Sequence, residues 1–287
     1  MTQSKFRFAI IGALAIVLQA GAAAASQSQL WLDDAYPSRP ALGPAKAVGA
    51  VIWSHGRSVD SEDSQAPIPP YMAALRDGGW DTFRYNRMRA SDTLSSSAGG
   101  LAEQVHRLKQ QGYREVALAG QSFGAFLSLM AADASEEVDA VIATAPAAYG
   151  SFSEFYDSWR SNATKLYPLV EQVRRARVMV FYFHGDDFDP GGRGERTRDI
   201  LAARKLPHVV IDQPPQLTTH WAAASPQFAR IFGGCILGFL NATQVADGAR
   251  CDGDRFWAGA TDVVPLQPAT AAAASVQGTA AQHIERH

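Results

Sequence analysis

Cysteine is nearly absent from this 287-residue chain, which holds only Cys235 and Cys251. So few cysteines exclude a disulfide-knotted miniprotein and a thiolate-based zinc module. In an exported chain an isolated pair is most economically one disulfide, here tying the last helical segment to the stretch after it. Two unpaired buried thiols are the alternative. Charge is also sparse, at 19% of residues with a net of -2. No basic run exceeds a few residues, which argues against nucleic acid or an anionic membrane as partner. The longest leading apolar run, Phe8 to Val17, is too short for a comfortable membrane span. No internal repeat is visible, and no two histidines stand at zinc-ligand spacing, so neither metal nor cofactor is expected.

What the chain does contain is a 47% apolar composition, enough for one globular domain with a full core. Residues 1–25 read as a secretory signal peptide: Lys5 and Arg7, then the apolar segment, then Ala23-Ala24-Ala25 before Ser26. An uncleaved anchor is the alternative reading. Cleavage would leave a net charge of about -4 and an exported, periplasmic or secreted protein. The domain is expected over 26–261, its first stretch to residue 46 irregular, with a disordered tail over 262–287. Two glycan-acceptor patterns, at Asn162 and Asn241, occur too often by chance to carry weight.

Between these ends, strand-like and helix-like stretches alternate. Strands are expected at Val48 to Ser54, Trp80 to Tyr85, Val116 to Ala119, Val138 to Thr144, Val178 to Phe183 and His208 to Ile211. Helices are expected at Pro70 to Asp77, Ala98 to Gln110, Gly124 to Ala132, Arg193 to Arg204 and Pro226 to Leu240, with one or two short ones in 151–175. The alternation predicts an α/β fold: a doubly wound, mostly parallel sheet of about six strands.

One motif sits at a strand–helix junction: Gly120-Gln121-Ser122-Phe123-Gly124. G-x-S-x-G in that context places a serine on a sharp turn above the sheet edge, with helix-terminal N–H groups aimed at an oxyanion. A plain helix N-cap is the bland reading of Ser122. A nucleophilic serine needs a base, and the base needs an acid to set its tautomer. Downstream the fifth strand ends in His184-Gly185-Asp186-Asp187-Phe188-Asp189, and the loop after the sixth strand carries His220 beside Trp221.

Together with Trp53-Ser54-His55-Gly56-Arg57 after the first strand, these residues resemble the α/β-hydrolase superfamily over about 47–240. The resemblance implies a minimal member with a small lid or none. In size it is similar to the dienelactone-hydrolase-like group, with serine where that group has cysteine. It implies Ser122 as nucleophile, His220 as base, and an oxyanion hole from the N–H groups of Phe123 and Arg57, or Gly56 in place of Arg57. The implied substrate is a small-molecule carboxylic ester. A serine peptidase or amidase, or a binding protein on the same scaffold, remain alternatives.

Asp186, Asp187 and Asp189 are all candidates for the acid. Asp187 is preferred, with Asp189 next; a Ca²⁺ loop is disfavoured because the distal glutamate is missing. His55 is expected to organise the oxyanion loop and His184 to be structural. Arg84, Arg87 and Arg89 could line the cleft mouth, or sit on a solvated loop. Tyr149, Phe152, Phe155, Tyr156 and Trp159 could form a substrate wall or the core of a small cap.

Overall fold

The computed structural model describes residues 32–57, 66–87, 92–148, 157, 160, 163–189 and 192–259. The expected signal peptide over 1–25, the expected disordered tail over 262–287, Arg89, and Tyr149, Phe152, Phe155, Tyr156 and Trp159 lie outside them. The described elements are β1 (Leu32–Asp34), β2 (Ala50–Ser54), α1 (Tyr71–Asp77), β3 (Asp81–Tyr85), α2 (Leu94–Gln110), β4 (Val116–Gln121) and α3 (Phe123–Ala134). Then come β5 (Ala140–Thr144), α4 (Leu166–Gln172), β6 (Arg177–Tyr182), α5 (Arg193–Ala203), β7 (His208–Asp212), α6 (Pro226–Asn241), β8 (Arg250–Asp252) and β9 (Arg255–Trp257).

β1 to β7 form one sheet of seven strands in the order β1-β3-β2-β4-β5-β6-β7. Six strands run parallel, and β1 pairs antiparallel with β3 at the edge. This extra strand corrects the expectation of an irregular stretch through residue 46. Three residues bordered by Tyr-Pro-Ser turn signals are too short to show a period.

The parallel strands are apolar almost throughout because both faces are covered. Ile52, Leu118, Val141 and Val180 meet Leu101, Val105, Phe126, Leu127 and Val170 of α2, α3 and α4. Val51, Trp53, Ala119, Ile142 and Phe181 meet Tyr71, Leu75, Phe228, Phe232 and Ile236 of α1 and α6. Side chains one residue apart along β2 or β4 thus serve opposite layers, as the pleat requires.

Helix α2 begins four residues before the expected start, at Leu94. Thr93 accepts from the Ser96 N–H, and Ser96 Oγ accepts from the Thr93 N–H, a capping box that lets the weak helix formers Ser95, Ser96 and Ser97 enter the first turn. Helix α6 is capped by the Ser225 hydroxyl with Pro226 in its first turn.

Beyond α6 the chain forms the hairpin of β8 and β9, whose Phe256 packs edge-on against Phe239 with ring centroids 5.8 Å apart. Cys235 and Cys251 form a disulfide between α6 and β8, with Cα atoms 5.7 Å apart. Among the described residues no helix is long and apolar enough to cross a membrane. With the two cysteines 16 positions apart in sequence, replacing both by serine should cost about 3 kcal/mol of unfolding free energy. Urea unfolding of the oxidised protein and the double variant measures it; equal midpoints would mean the bridge constrains nothing.

Candidate active site

β4 ends at Gln121 and α3 begins at Phe123, so Ser122 alone makes the turn, with φ 56° and ψ -119°. A side chain in that region is strained, and the flanking glycines show what enforces it. A Cβ on Gly120 would lie 2.2 Å from the Gly124 carbonyl oxygen, and one on Gly124 only 1.9 Å from that of Ser54. Strand β4, helix α3 and the end of β2 therefore meet backbone to backbone. The Ser122 N–H donates to the Thr144 carbonyl at 3.0 Å, and its own carbonyl accepts from Ala125 at 3.0 Å and Ala147 at 3.3 Å.

The candidate base and acid come from the loops after β7 and β6. These loops continue the sheet: His184 and Thr218 form a parallel bridge, and the Thr219 N–H donates to the His184 carbonyl at 2.8 Å. His220 Nδ1 lies 2.9 Å from Asp186 Oδ1, with both side chains buried. The same oxygen accepts the Phe188 N–H at 2.8 Å, an Asx turn that fixes the carboxylate before the imidazole arrives. The Phe188 ring lies against the imidazole at 4.2 Å between centroids, and Trp221 meets it edge-on at 5.3 Å. With Nδ1 engaged, the hydrogen on that nitrogen is assigned to the bond with Asp186, and buried Nε2 is left without a hydrogen-bond partner among the described residues.

The expectation of Asp187, with Asp189 next, is thereby corrected: Asp186 holds the imidazole. Gly185 at φ 67° turns the chain after the bridge, so the first aspartate points inward and Asp187 is half-buried. Asp189 is also buried but pairs with Arg193 Nε at 3.1 Å, and Arg193 donates to the Pro146 carbonyl at 2.9 Å.

The His55-Gly56-Arg57 loop closes the other side. A Cβ on Gly56 would fall 3.2 Å from Ser122 Cβ and 2.7 Å from Gln121 Oε1, so the loop lies directly on the elbow. Gln121 also reaches the opposite flank, its amide donating to the His220 carbonyl at 3.3 Å.

Arg87, which the sequence suggests for a cleft mouth or a solvated loop, is instead wholly buried beneath this loop. Its Nη1 donates to the His55 carbonyl at 2.6 Å, Nη2 to the Gly56 carbonyl at 2.8 Å, and Nε to Asp92 at 3.1 Å. Ser97 Oγ donates to the other Asp92 oxygen, and the Arg57 guanidinium donates to the Asp92 carbonyl. Arg87 also lies over the Phe123 ring, 5.3 Å from its centroid. Nearby Tyr85 donates to the Ser97 carbonyl at 3.0 Å. Burial, followed by an opposing effect of Arg87 and a reinforcing one of Asp92, pushes its phenol up to about 12. No motif marks Arg87; its signal is only its position two residues past β3.

The remaining candidates are peripheral. Arg84 approaches Asp33 at 3.6 Å. The His184 side chain is exposed, while its backbone joins the two loops. His106 pairs with Glu137 at the surface, and His208 bonds the Leu206 carbonyl. Among the described residues no group of three His, Cys, Asp or Glu side chains is arranged to hold a metal ion.

No protein-family model and no curated protein matches the sequence. Solved structures match the backbone. A monoacylglycerol lipase from Paleococcus ferrophilus superposes with a TM-score of 0.51 at 13% identity, over 68% of this chain and 95% of its own. A puromycin-hydrolyzing peptidase from Mycobacterium tuberculosis gives 0.51 at 13% identity, over 68% of this chain but 35% of its own. A carbohydrate esterase from gut microbiota gives 0.50 at 12% identity, over 68% of this chain and 85% of its own. Sheet order, the strained serine turn and these superpositions agree: the chain has the α/β-hydrolase fold.

Proposed function

We propose that the protein is an exported serine hydrolase that cleaves carboxylic esters through an acyl-enzyme. The observation that carries this reading is the orientation of His220. A buried carboxylate holds its Nδ1, its buried Nε2 has no hydrogen-bond partner among the described residues, and its carbonyl takes the amide of Gln121, the residue before the strained Ser122 turn. His220 Nε2 takes the Ser122 proton as Oγ attacks the ester carbonyl, and Asp186 stabilises the imidazolium that forms. The carbonyl electron pair moves to oxygen, which the N–H groups of Phe123 and Arg57 receive. Phe123 opens α3, so its amide faces the helix start. Arg57 follows a peptide whose carbonyl is held by Arg87, and in a trans peptide the N–H points the opposite way.

Collapse of the tetrahedral adduct breaks the ester C–O bond, and the alcohol leaves with the proton from Nε2. Water then attacks the acyl-enzyme with His220 again as base, releasing the acid and restoring Ser122. The lipase and esterase names among the structural relatives support an acyl bond as target, and the peptidase name makes an amide the comparison to assay. The disulfide supports an oxidising compartment and hence export.

A fluorophosphonate should label Ser122 in the folded protein and leave Ser122→Ala untouched; no adduct on the native chain would refute the reading. Asp186→Asn should lower kcat about 10⁴-fold, as loss of the tautomer-setting acid does, while Asp187→Asn stays near normal. The opposite ranking would return the role to Asp187. Arg87→Lys keeps the charge beside Asp92 but cannot hold both carbonyls with a planar fork. It should lower kcat on an ester about 10²-fold with KM little changed, in a variant whose near-ultraviolet circular dichroism remains native. An unchanged kcat would remove Arg87 from the alignment of the oxyanion loop.

A further inference from the structure

We propose that a cleft beside the elbow is a subsite for an uncharged, apolar group of the substrate, an inference that rests on the hydrolase reading. The cleft has a volume of about 500 Å³, ample for an alkyl or aryl group. Trp53 and His55 bound it at the end of β2, Gln121 before the nucleophile, Trp221 and Ala224 after the base, and the proline-rich stretch 66–70 on the remaining side. Gln121 and Trp221 are the chain neighbours of Ser122 and His220, which places the cleft one residue away from each along the chain.

Among the described residues, no Asp, Glu, Lys or Arg contributes to the lining. The prolines have no N–H to offer, and the Gln121 amide already donates to the His220 carbonyl. A carboxylate entering the cleft would therefore lose water without gaining an ionic partner, whereas each methylene would gain by leaving water. Trp221, 63% exposed, adds an apolar surface that the core does not require. The group could belong to the acyl or the alcohol half of the ester; the chemistry of the subsite is the same for either.

Two substrate series separate the halves: p-nitrophenyl esters from acetate to hexanoate, and acetate esters from methyl to hexyl. One series should show kcat/KM rising about fourfold per methylene until the cleft is full, and a carboxylate on that half of the ester, as in a succinate half-ester or acetylglycolate, should bring it below acetate. Ala224 is exposed on a short 3-10 turn, so Ala224→Trp fills the cleft without entering the core. In that variant the chain-length slope should flatten while acetate turnover persists. Flat slopes in both series with acetate still hydrolysed, or a slope that survives Ala224→Trp, would overturn the subsite.

n-Butanol and n-hexanol carry no scissile bond and test the subsite apart from chemistry. Tryptophan fluorescence of the full chain should report tighter binding of hexanol, lost in Ala224→Trp. Absence of that difference overturns the subsite. Its presence in a protein that hydrolyses no ester and takes no fluorophosphonate would uphold the subsite and overturn the hydrolase reading alone.

Discussion

The single-residue turn at Ser122 is the constraint from which the rest of the site is placed. Its backbone lies outside the helix and strand regions, at a cost of about 1–3 kcal/mol. The turn persists because both of its backbone polar groups are engaged, the N–H by Thr144 and the carbonyl by Ala125, Phe126 and Ala147. At about 0.5–1.5 kcal/mol net for each bond, these bonds together offset the strain. Those partners sit on β5, on the loop after it and on α3 itself. The elbow is thus held by two neighbouring elements, and the sheet must be formed before the serine can be presented.

The oxyanion loop is fixed by a different kind of interaction. Arg87 and Asp92 are both wholly buried, and a buried ion pair offsets its desolvation only when its remaining donors and acceptors are also satisfied. Here the guanidinium directs two further donors to the His55 and Gly56 carbonyls, and the second carboxylate oxygen accepts Ser97. The pair therefore contributes more to specificity than to stability. It selects one orientation of two peptide units in a loop whose Gly56 packs on the nucleophile. Arginine suits this role because one planar fork reaches both carbonyls while Nε faces the carboxylate.

These two devices differ in how they register in the sequence. The elbow is written locally: Gly120 and Gly124 are required by backbone contacts that any side chain would block, so a five-residue pattern between a strand and a helix reveals them. His220 is legible by its place after the last strand, and Cys235 with Cys251 by scarcity. The acid is not. Three aspartates within four residues differ only in the direction the chain takes after Gly185, and that depends on pairing between His184 and Thr218, thirty-four positions apart. Arg87 is illegible for a related reason: an arginine after a strand reads as exposed until Asp92, Ser97 and the two carbonyls are known to converge on it. The short edge strand Leu32–Asp34 and the hairpin 250–257 are hidden because three-residue strands carry no period.

That pairing explains how an acid and a base so distant along the chain meet with useful geometry. Beyond β6 and β7 the pairing resumes in a new register: Tyr182 lies opposite Asp212, but His184 bridges Thr218, so four extra residues loop out on the β7 side before the Thr219 N–H reaches the His184 carbonyl. Asp186 and His220 each lie two residues past that bridge, so it is this second pairing, and not the strand register of Val180 with Val210, that sets the carboxylate opposite the imidazole. Asp189 acts on the same loop from its far side, where its pair with Arg193 ties it to Pro146 beyond β5. The loop that bears the acid is thus anchored at both ends, to the β7 side through the backbone and to the β5 side through an ion pair. Between the two anchors stands Asp186, and its carboxylate is directed by the Phe188 N–H and the imidazole.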